Sequence, residues 1–204
     1  MGRLDVTTLT GDHVTLEPLR ADHTVELAAA ASGDRSSFGM TPVPDGLAET
    51  EAYVGLRVAA AAAGTEVSFV QRRISDGRIV GCTRFLDPHW TLGRHHPDEV
   101  EVGGTWLSSH AQRTAINTDA KFLLLSHAFD TWGVGRLAIC TDARNAQSRA
   151  AIERIGAQLD GILPKHRRKA GLGEPDGLRD TAVYSIIDDA WPRVRSELLD
   201  RLDR

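Results

Sequence analysis

The sequence is poor in cysteine and in aromatic residues, has no excess of basic residues and contains no long apolar run. Its two cysteines, Cys82 and Cys140, lie in apolar, strand-like segments, which excludes a disulfide framework and a cysteine-ligated zinc site. The 24 Lys and Arg residues and 28 Asp and Glu residues give a net charge of −4. Because nucleic-acid binders are usually basic, we expect no nucleic-acid partner. No apolar run approaches the roughly 20 residues that span a bilayer, so we expect no membrane partner.

The remaining composition is typical of a soluble folded protein. Of the 204 residues, 41% are hydrophobic and 25% are charged, and this length suits one globular domain. The beginning, MGRLDVTT, lacks the apolar segment of a signal peptide, and Val6 does not fit the myristoylation pattern. We therefore expect a cytoplasmic protein with a single domain over residues 1–204.

Hydrophobic periodicity predicts both strands and helices. Segments rich in strand-forming residues predict strands at 13–17, 66–74, 78–86, 99–107, 136–142, 159–163 and 180–187. Helical spacing predicts helices at 21–32, 48–63, 119–132, 146–156 and from Pro192 onward. Polar loops are predicted at 34–46, 85–98 and 164–179. This order favours a mixed sheet covered by helices.

Three of the predicted helices have a recognisable apolar face, and in the helix at 119–132 its residues are Ala120, Leu124, Ala128 and Phe129. In the second helix the residues that share one face are Ala52, Leu56, Ala59 and Ala63. In the last helix the residues predicted to point inward are Val194, Leu198, Leu199 and Leu202.

The strand at 99–107 and the turn that follows it form the first candidate site. Gly103 and Gly104 lie inside this strand, where glycine marks a bulge or a close approach by a ligand; the alternative is an adjustment of twist against Trp106. The turn delivers a helix N-terminus, which Thr118 or Asn117 could cap. Such an N-terminus can bind an anion, although an ordinary capped turn explains the same pattern.

A second candidate site follows the strand at 136–142. Asn145 and Ser148 lie three residues apart where this strand turns into a helix. Ligands of open sheets collect beyond the carboxyl ends of the strands, which favours a binding role. The alternatives are that Ser148 is a helix-cap or first-turn hydroxyl and that Asn145 is a turn residue.

The chain resembles the GNAT superfamily of acyl-CoA-dependent N-acyltransferases, and within it the RimJ/RimL-like branch of ribosomal-protein N-acetyltransferases. The motifs that carry the resemblance are VTLEPLRADH, RIVGCTRF, EVGGTWLS, QRTAINTDAKFLLLSHAF, TDARNAQSRAAIERIGA and RDTAVYSI, and they cover roughly residues 10–192. The resemblance implies an α+β fold: a central, twisted, mostly antiparallel mixed sheet with one splayed strand pair, flanked by helices. It also implies one GNAT domain and a homodimer.

The phosphate loop departs from the family pattern. The family's Gln-x-x-Gly-x-Gly/Ala aligns with Gln112 to Asn117, so Ala115 and Asn117 stand at the two small-residue positions. Either the loop still donates its amides, supplemented by Arg113 or Thr114, or nucleotide binding has weakened. We favour the first, because Asn tolerates left-handed conformations and the helix start is intact. The residues that the resemblance places on acetyl-CoA are Trp106, Leu107, Ser108, Gln112, Arg113, Thr114, Ala115, Ile116, Asn117, Thr118, Asn145 and Ser148.

The resemblance further implies transfer of an acetyl group from acetyl-CoA to a primary amine by direct attack. Unpaired strand amides near Trp106 and Leu107 would bind the pantetheine or polarise the carbonyl. Ser148 matches the serine that protonates the departing thiolate, and Asn145 matches a residue on the pantetheine arm or on a water. The acceptor is a small-molecule or peptide amine, and the same fold could instead use a larger acyl group such as succinyl. A catalytically weakened acyl-CoA-binding module is the other alternative, and a partner-binding adaptor that uses the last helix is a third.

The base that accepts the amine proton has two candidates besides a chain of waters. Glu101 aligns with a strand glutamate of the family's active site, and its alternative is a surface carboxylate. His166 has a suitable unperturbed pKa but lies in the charged run PKHRRKAG, which is typical of a solvated loop. Asp180 matches a family aspartate on the substrate side, where Glu101 is also expected, although a salt bridge with Arg179 would explain it equally.

No metal is expected. The only histidines that lie close together in the sequence with acidic neighbours are His89, His95 and His96, and they lack the helical or strand spacing that would make them converge. Acetyl-CoA is therefore expected as a co-substrate, without a metal.

Overall fold

A computed structural model describes residues 4–5, 7–169 and 176–203. The described strands are β1 (Leu9–Thr10), β2 (Val14–Pro18), β3 (Glu66–Arg73), β4 (Ile79–His89), β5 (Glu99–Leu107), β6 (Arg136–Asp142), β7 (Gln158–Arg168) and β8 (Leu178–Ile187). The α-helices are α1 (Thr24–Ala31), α2 (Gly46–Ala62), α3 (Ile116–Ser126), α4 (Ala146–Arg154) and α5 (Trp191–Leu202). No helix among these residues combines the length and the apolar character needed to cross a membrane.

The strands form one eight-stranded sheet in the order β1-β2-β3-β4-β5-β6-β8-β7. Neighbouring strands are antiparallel except for β5 and β6, which are parallel. The predicted mixed sheet covered by helices is therefore confirmed, and β5 and β6 begin and end where the sequence predicts. The short strand β1 was not predicted, and Val6, which precedes it, lies outside the described residues.

Helices cover both faces of the sheet and bury a separate apolar cluster on each. On one face α3 and α5 supply Leu124, Leu125, Val194 and Leu198, all buried. The opposite face packs against α1 and α2, where Leu27 is buried with its neighbours. As predicted, Val194 and Leu198 point inward, whereas Leu199 and Leu202 are only half-buried.

The face of α2 that carries Ala52, Leu56, Ala59 and Ala63 points to solvent, and Leu56 is 64% exposed. The opposite face is fixed by polar partners as well as by apolar packing. The Tyr53 hydroxyl reaches Cys82 Sγ at 3.5 Å, and Arg57 Nη1 donates to Glu66 Oε2 at 2.8 Å. Helical spacing therefore identifies α2 correctly, but alanine is too small for its spacing to reveal which face is buried.

The helix predicted over 119–132 begins earlier, at Ile116, with Ala115 as its N-cap. The predicted caps Thr118 and Asn117 lie inside the first turn and do not cap the helix. The start is fixed instead by Thr114, whose Oγ1 accepts the Ile116 N–H at 3.4 Å. A π-helical turn, His127–Trp132, ends this helical segment.

The loop predicted at 164–179 is wrong at both ends, because β7 continues to Arg168 and β8 begins at Leu178. Proline lacks the N–H that a central strand needs, but β7 is an edge strand, where that loss costs nothing. The pairing is irregular between Leu163 and Arg167, and Lys165 has a φ of 46° there. Residues 170–175 of the predicted loop lie outside the described residues.

Strands β5 and β6 separate soon after they begin. They pair at three positions, the last joining Glu101 to Ala138. Beyond that point β5 stays on β4 as far as Leu107, while β6 stays on β8 as far as Asp142. The splayed strand pair implied by the resemblance is therefore present.

A bulge in β5 accompanies this separation. Cys82 pairs with Trp106 and Arg84 pairs with Gly103, so β5 has one more residue than β4 over this interval. Gly104 lies at the extra position with a φ of 57°, a left-handed conformation that favours glycine. A bulge increases local twist and bends the strand, which turns β5 away from β6. The bulge predicted from Gly103 and Gly104 is thus confirmed.

Replacing Gly104 with alanine should destabilise the protein by about 1–3 kcal/mol, because the left-handed conformation is strained for any other residue. A Cβ there would also lie 2.8 Å from the Arg84 guanidinium, which is flexible and can move. The free energy of unfolding, measured with urea, checks this. Gly161→Ala is the matched control, because a Cβ at that strand glycine has nothing within 4 Å. Equal stability of the two variants would contradict the role given to the bulge.

Candidate functional site

The opening between β5 and β6 contains a cavity of about 420 Å³. On the face of the sheet covered by α3 and α4, the residues that line it include Asn117, Lys121, Ile139, Ser148 and Ile152. On the opposite face they include Met40, Arg84, Glu101, Cys140, Arg167 and Arg179. The cavity therefore passes through the sheet and is open to groups from both faces.

The register of the strands shows on which face of the sheet each of these side chains lies. Ile139 packs in the same apolar cluster as Ile152 of α4. Successive side chains of a strand point to opposite faces, so Cys140 points away from α4. Glu101 pairs with Ala138, two residues before Cys140, and shares its face.

Asn145 and Ser148 form the beginning of α4. Asn145 is the N-cap, and its Oδ1 accepts the Ser148 N–H at 3.0 Å. Ser148 is half-buried in the first turn, and both residues line the cavity. The cap and first-turn alternatives are therefore correct as descriptions of local structure, and they also place both side chains on the cavity.

The loop before α3 has one left-handed residue, and it is at neither 115 nor 117. The left-handed position is Arg113, with a φ of 59°, whereas Ala115 is right-handed with a φ of −63°. Left-handed tolerance of Asn117 is therefore not what preserves the loop, because Asn117 lies within the helix. Gln112 braces the loop, since its Nε2 donates to Leu107 O at 2.9 Å and to Ser37 Oγ at 2.7 Å.

The cavity collects half of the residues predicted to bind acetyl-CoA. Those that line it are Trp106, Leu107, Gln112, Asn117, Asn145 and Ser148. Those that do not are Ser108, Arg113, Thr114, Ala115, Ile116 and Thr118. Ile116 is buried in the core, so only its backbone could contact a ligand. The first N–H groups of a helix have no acceptor within it, which leaves the start of α3 able to bind an anion.

Glu101 is buried, so its alternative as a surface carboxylate is wrong. Arg167 binds both of its oxygens, with Nη1 to Oε1 at 3.0 Å and Nη2 to Oε2 at 2.8 Å. Arg167 Nη2 also reaches Asp87 Oδ2 at 3.0 Å, and the Glu101 carboxylate raises the pKa of Arg167. Any proton that Glu101 accepts must therefore be taken next to a fixed positive charge.

His166 and Asp180 do not meet the other site residues. His166 is exposed on β7 and does not line the cavity, whereas Arg167 and Arg168 next to it do. Asp180 is exposed too, and its Oδ1 accepts the Lys165 N–H at 2.8 Å. Its alternative as a partner of Arg179 is also absent from the described part of the chain. Asp180 therefore supports the irregular backbone of β7 at Lys165.

Sequence reasoning missed Lys121, which is buried on α3 and lines the cavity. Its Nζ donates to Thr105 Oγ1 at 2.7 Å, and that oxygen lies 2.8 Å from Thr83 Oγ1. Burial lowers the pKa of Lys121 to about 7. The signal that could have found it is a cation three residues before Leu124, on the apolar face of the helix.

Cys140 was assigned to an apolar strand, and the structure places its thiol on the cavity. Burial, reinforced by the Glu101 carboxylate, raises the pKa of Cys140 to about 12. The reactive form of cysteine is the thiolate, which is scarce at neutral pH when the pKa is so high. Cys140 is therefore poorly suited to carry an acyl group between two steps.

The described residues contain one group with the spacing of a metal site. Side-chain ligand atoms of Asp5, His95 and His96 lie within 4.8 Å of one another, so these two histidines do converge, contrary to the expectation from their spacing. His89 instead lies near Glu99, with Nδ1 3.7 Å from Oε2. Asp5, His95 and His96 do not line the cavity, and the absence of a metal stays a prediction.

Comparison with known proteins gives a family match. The family model described as an acetyltransferase (GNAT) domain matches residues 13–158. YdaF of Bacillus subtilis (strain 168), whose name places it provisionally among ribosomal N-acetyltransferases, is 30% identical over 104 residues. That match covers 49% of this chain and 54% of YdaF, so the chain spans about half the length of this curated relative.

Solved structures extend the likeness to nearly the whole chain. A GCN5-related N-acetyltransferase from Brucella melitensis superposes with a TM-score of 0.84 at 26% identity, covering 98% of this chain and 87% of that chain. RimJ of Mycobacterium smegmatis, in complex with CoA-disulfide, superposes with a TM-score of 0.75 at 19% identity. This superposition covers 96% of this chain and 97% of the RimJ chain, and at 19% identity it shows a shared fold.

Proposed function

The chain belongs to the GNAT acetyltransferase family, and from that premise we propose that it transfers an acetyl group from acetyl-CoA to a primary amine by direct attack. The observation that carries this proposal is the cavity through the opening between β5 and β6. It joins a face that carries a helix N-terminus and the Ser148 hydroxyl to a face that carries Glu101. Two reactants that approach from opposite faces can meet there.

The α3 and α4 side suits the coenzyme. The start of α3 offers N–H groups and the positive end of a helix dipole to a diphosphate. Beyond Glu101, β5 has no strand partner on its β6 side within the described residues, so its amides can bind a pantetheine arm or a developing oxyanion. The RimJ of Mycobacterium smegmatis, which has this fold, is seen in complex with CoA-disulfide, and this supports the assignment.

The chemistry needs one proton donor and one proton acceptor. Ser148, which lies on the cavity in the first turn of α4, donates its hydroxyl proton to the sulfur as the thiolate of coenzyme A departs and regains a proton from solvent. The Glu101 carboxylate, on the other face, accepts the amine proton directly or through water. The high pKa of Cys140 favours direct attack over a covalent intermediate.

The experiment that tests this proposal combines turnover and binding. The purified protein is incubated with acetyl-CoA or succinyl-CoA and a panel of amines and peptides, and release of free thiol is measured. Binding of CoA is measured by calorimetry. We expect CoA binding and thiol release that depends on an amine and is faster with the acetyl donor.

Three outcomes contradict the proposal in different ways. Absence of both CoA binding and thiol release overturns it completely. Tight CoA binding without turnover across the panel favours the acyl-CoA-binding module. Faster turnover with succinyl-CoA keeps the reaction type but replaces the acyl group.

A further inference from the structure

Basic side chains outnumber acidic ones in the lining of the cavity. Among the described residues that line it, the cationic side chains are Arg84, Lys121, Arg167, Arg168 and Arg179, against the single carboxylate of Glu101. Such a balance predicts a ligand with negative charge. The start of α3 can bind the diphosphate of the coenzyme, but Arg179 lies on β8 and is not part of that site.

Most of these cations already have partners. Arg167 is bonded to Glu101, and Arg168 Nη2 lies 2.7 Å from Asp176 Oδ1. Lys121 donates to a threonine hydroxyl. Arg84 Nε lies 4.0 Å from Glu66 Oε2, an ion pair without a hydrogen bond, and this buried Nε has no hydrogen-bond partner among the described residues.

Arg179 differs from the other four, because within the part of the chain that the structure describes its guanidinium has no ion pair and no hydrogen bond at all. Its Nε is buried and has no hydrogen-bond partner there. A buried donor without a partner is costly, and the cost is greater for a charged group.

The two carboxylates that attract Arg179 are bonded by other arginines. Asp142 and Glu101 both attract Arg179 electrostatically. However, Asp142 is already bonded by Arg144, through Nε at 3.0 Å and Nη2 at 2.8 Å, and Glu101 is bonded by Arg167. Burial lowers the pKa of Arg179, as expected for a cation that has lost water without gaining an anion.

The register places Arg179 on the side opposite to α4. On β8, Thr181 pairs with Asp142 of β6, and Arg179, two residues before Thr181, pairs with Arg167 of β7. Residues that are directly opposite, or two apart on one strand, share a face, so Arg179 lies on the face of Cys140 and Glu101. This is the face from which the amine arrives.

We propose that Arg179 binds an anionic group of the acceptor, so that the substrate is an amine that also carries a carboxylate or a phosphate. This inference rests on the proposed function and names its substrate class. A guanidinium binds either anion through two parallel hydrogen bonds, which both orients the acceptor and compensates the buried charge.

The test uses acceptors in matched pairs. L-Alanyl-L-alanine is compared with its C-terminal amide, and 2-aminoethyl phosphate with 2-aminoethanol. We expect the wild-type kcat/KM to favour the anionic member of one pair by at least about tenfold. In Arg179→Gln this preference should fall to near unity while the KM for acetyl-CoA stays unchanged. The preferred pair distinguishes a carboxylate from a phosphate.

Arg168→Gln is the control, because it removes one positive charge at the edge of the same cavity from an exposed residue paired with Asp176. It should keep the wild-type preference. An equal loss of the preference in both variants would mean that it comes from the overall positive charge of the cavity and not from Arg179. An unchanged preference in Arg179→Gln, no preference in the wild type, or a raised KM for acetyl-CoA in Arg179→Gln would each overturn the inference.

A failure of the proposed function is recognised separately. If no probe is acetylated although CoA binds, the reaction is wrong, and calorimetry then decides the inference. The CoA-saturated protein should bind L-alanyl-L-alanine or 2-aminoethyl phosphate more tightly than the uncharged partner, and Arg179→Gln should lose that difference. Equal binding of both members by the wild type would overturn it.

Discussion

Replacing Lys121 with methionine should make the protein more stable at pH 7, by on the order of 3 kcal/mol. Lys121 is buried beside Thr105, and no carboxylate pairs with it within the described residues. Methionine has a similar length and fills the site without a charge to desolvate. Removal of the hydrogen bond to Thr105 costs less, because Thr105 Oγ1 keeps its contact with Thr83 Oγ1.

The pH dependence has a definite sign. The pKa of Lys121 falls from 10.5 to about 7 on burial. Between these values the unfolded chain binds a proton that the folded protein does not, so the stability of the wild type should rise with pH. The stability gained at high pH is lost as the pH falls towards 7. Below pH 7 the lysine is protonated in both the folded and the unfolded state, so its effect no longer changes with pH. In Lys121→Met the rise should disappear.

Urea unfolding at pH 7 and pH 9.5 measures both effects. Lys165→Met is the control, because it makes the same substitution at an exposed lysine. It should leave the difference between the two pH values as in the wild type. Lower stability of Lys121→Met at both pH values would mean that the hydrogen bond to Thr105 outweighs the desolvation of the amine.

Replacing Ser148 with alanine should lower kcat for acetyl transfer about 100-fold. The departing thiolate would lose its proton donor, whereas the contacts that hold the coenzyme would remain. The KM for acetyl-CoA should therefore change little, and Asn145 should still cap α4, because it bonds the backbone N–H of residue 148 rather than the hydroxyl.

Steady-state kinetics with acetyl-CoA and the best acceptor check this. Gln147→Ala is the control, because it shortens a neighbouring side chain of α4 that also lines the cavity. A kcat for Ser148→Ala equal to that of Gln147→Ala would remove the serine from the proton transfer. A large rise in KM with an unchanged kcat would make it a binding residue instead.

The parts of the fold that the sequence predicts are those set by local pattern. Strand β5 is bounded by polar turns, and its two adjacent glycines predict the bulge that Gly104 forms. The buried face of α2 could not be predicted, because Tyr53 and Arg57 find their partners on β4 and β3. The continuation of β7 past Pro164 depends on its position at the sheet edge, which is a property of the assembled sheet.

The candidate site divides in the same way. Asn145 and Ser148 are only three residues apart and belong to one motif, so the sequence identifies them together. Glu101 and Arg167 are 66 residues apart, and nothing local links them. Lys121 and Arg179 are notable because no carboxylate bonds either of them within the described residues, and such a lack can be recognised only once the surrounding residues have been placed.

The passage through the sheet has a kinetic consequence. In the proposed reaction the coenzyme and the amine enter from opposite faces of the sheet, so neither has to leave before the other can bind. Each product can likewise leave from the face on which its substrate entered. A substitution on one face should then change the KM of the substrate that binds there and leave the KM of the other substrate unchanged.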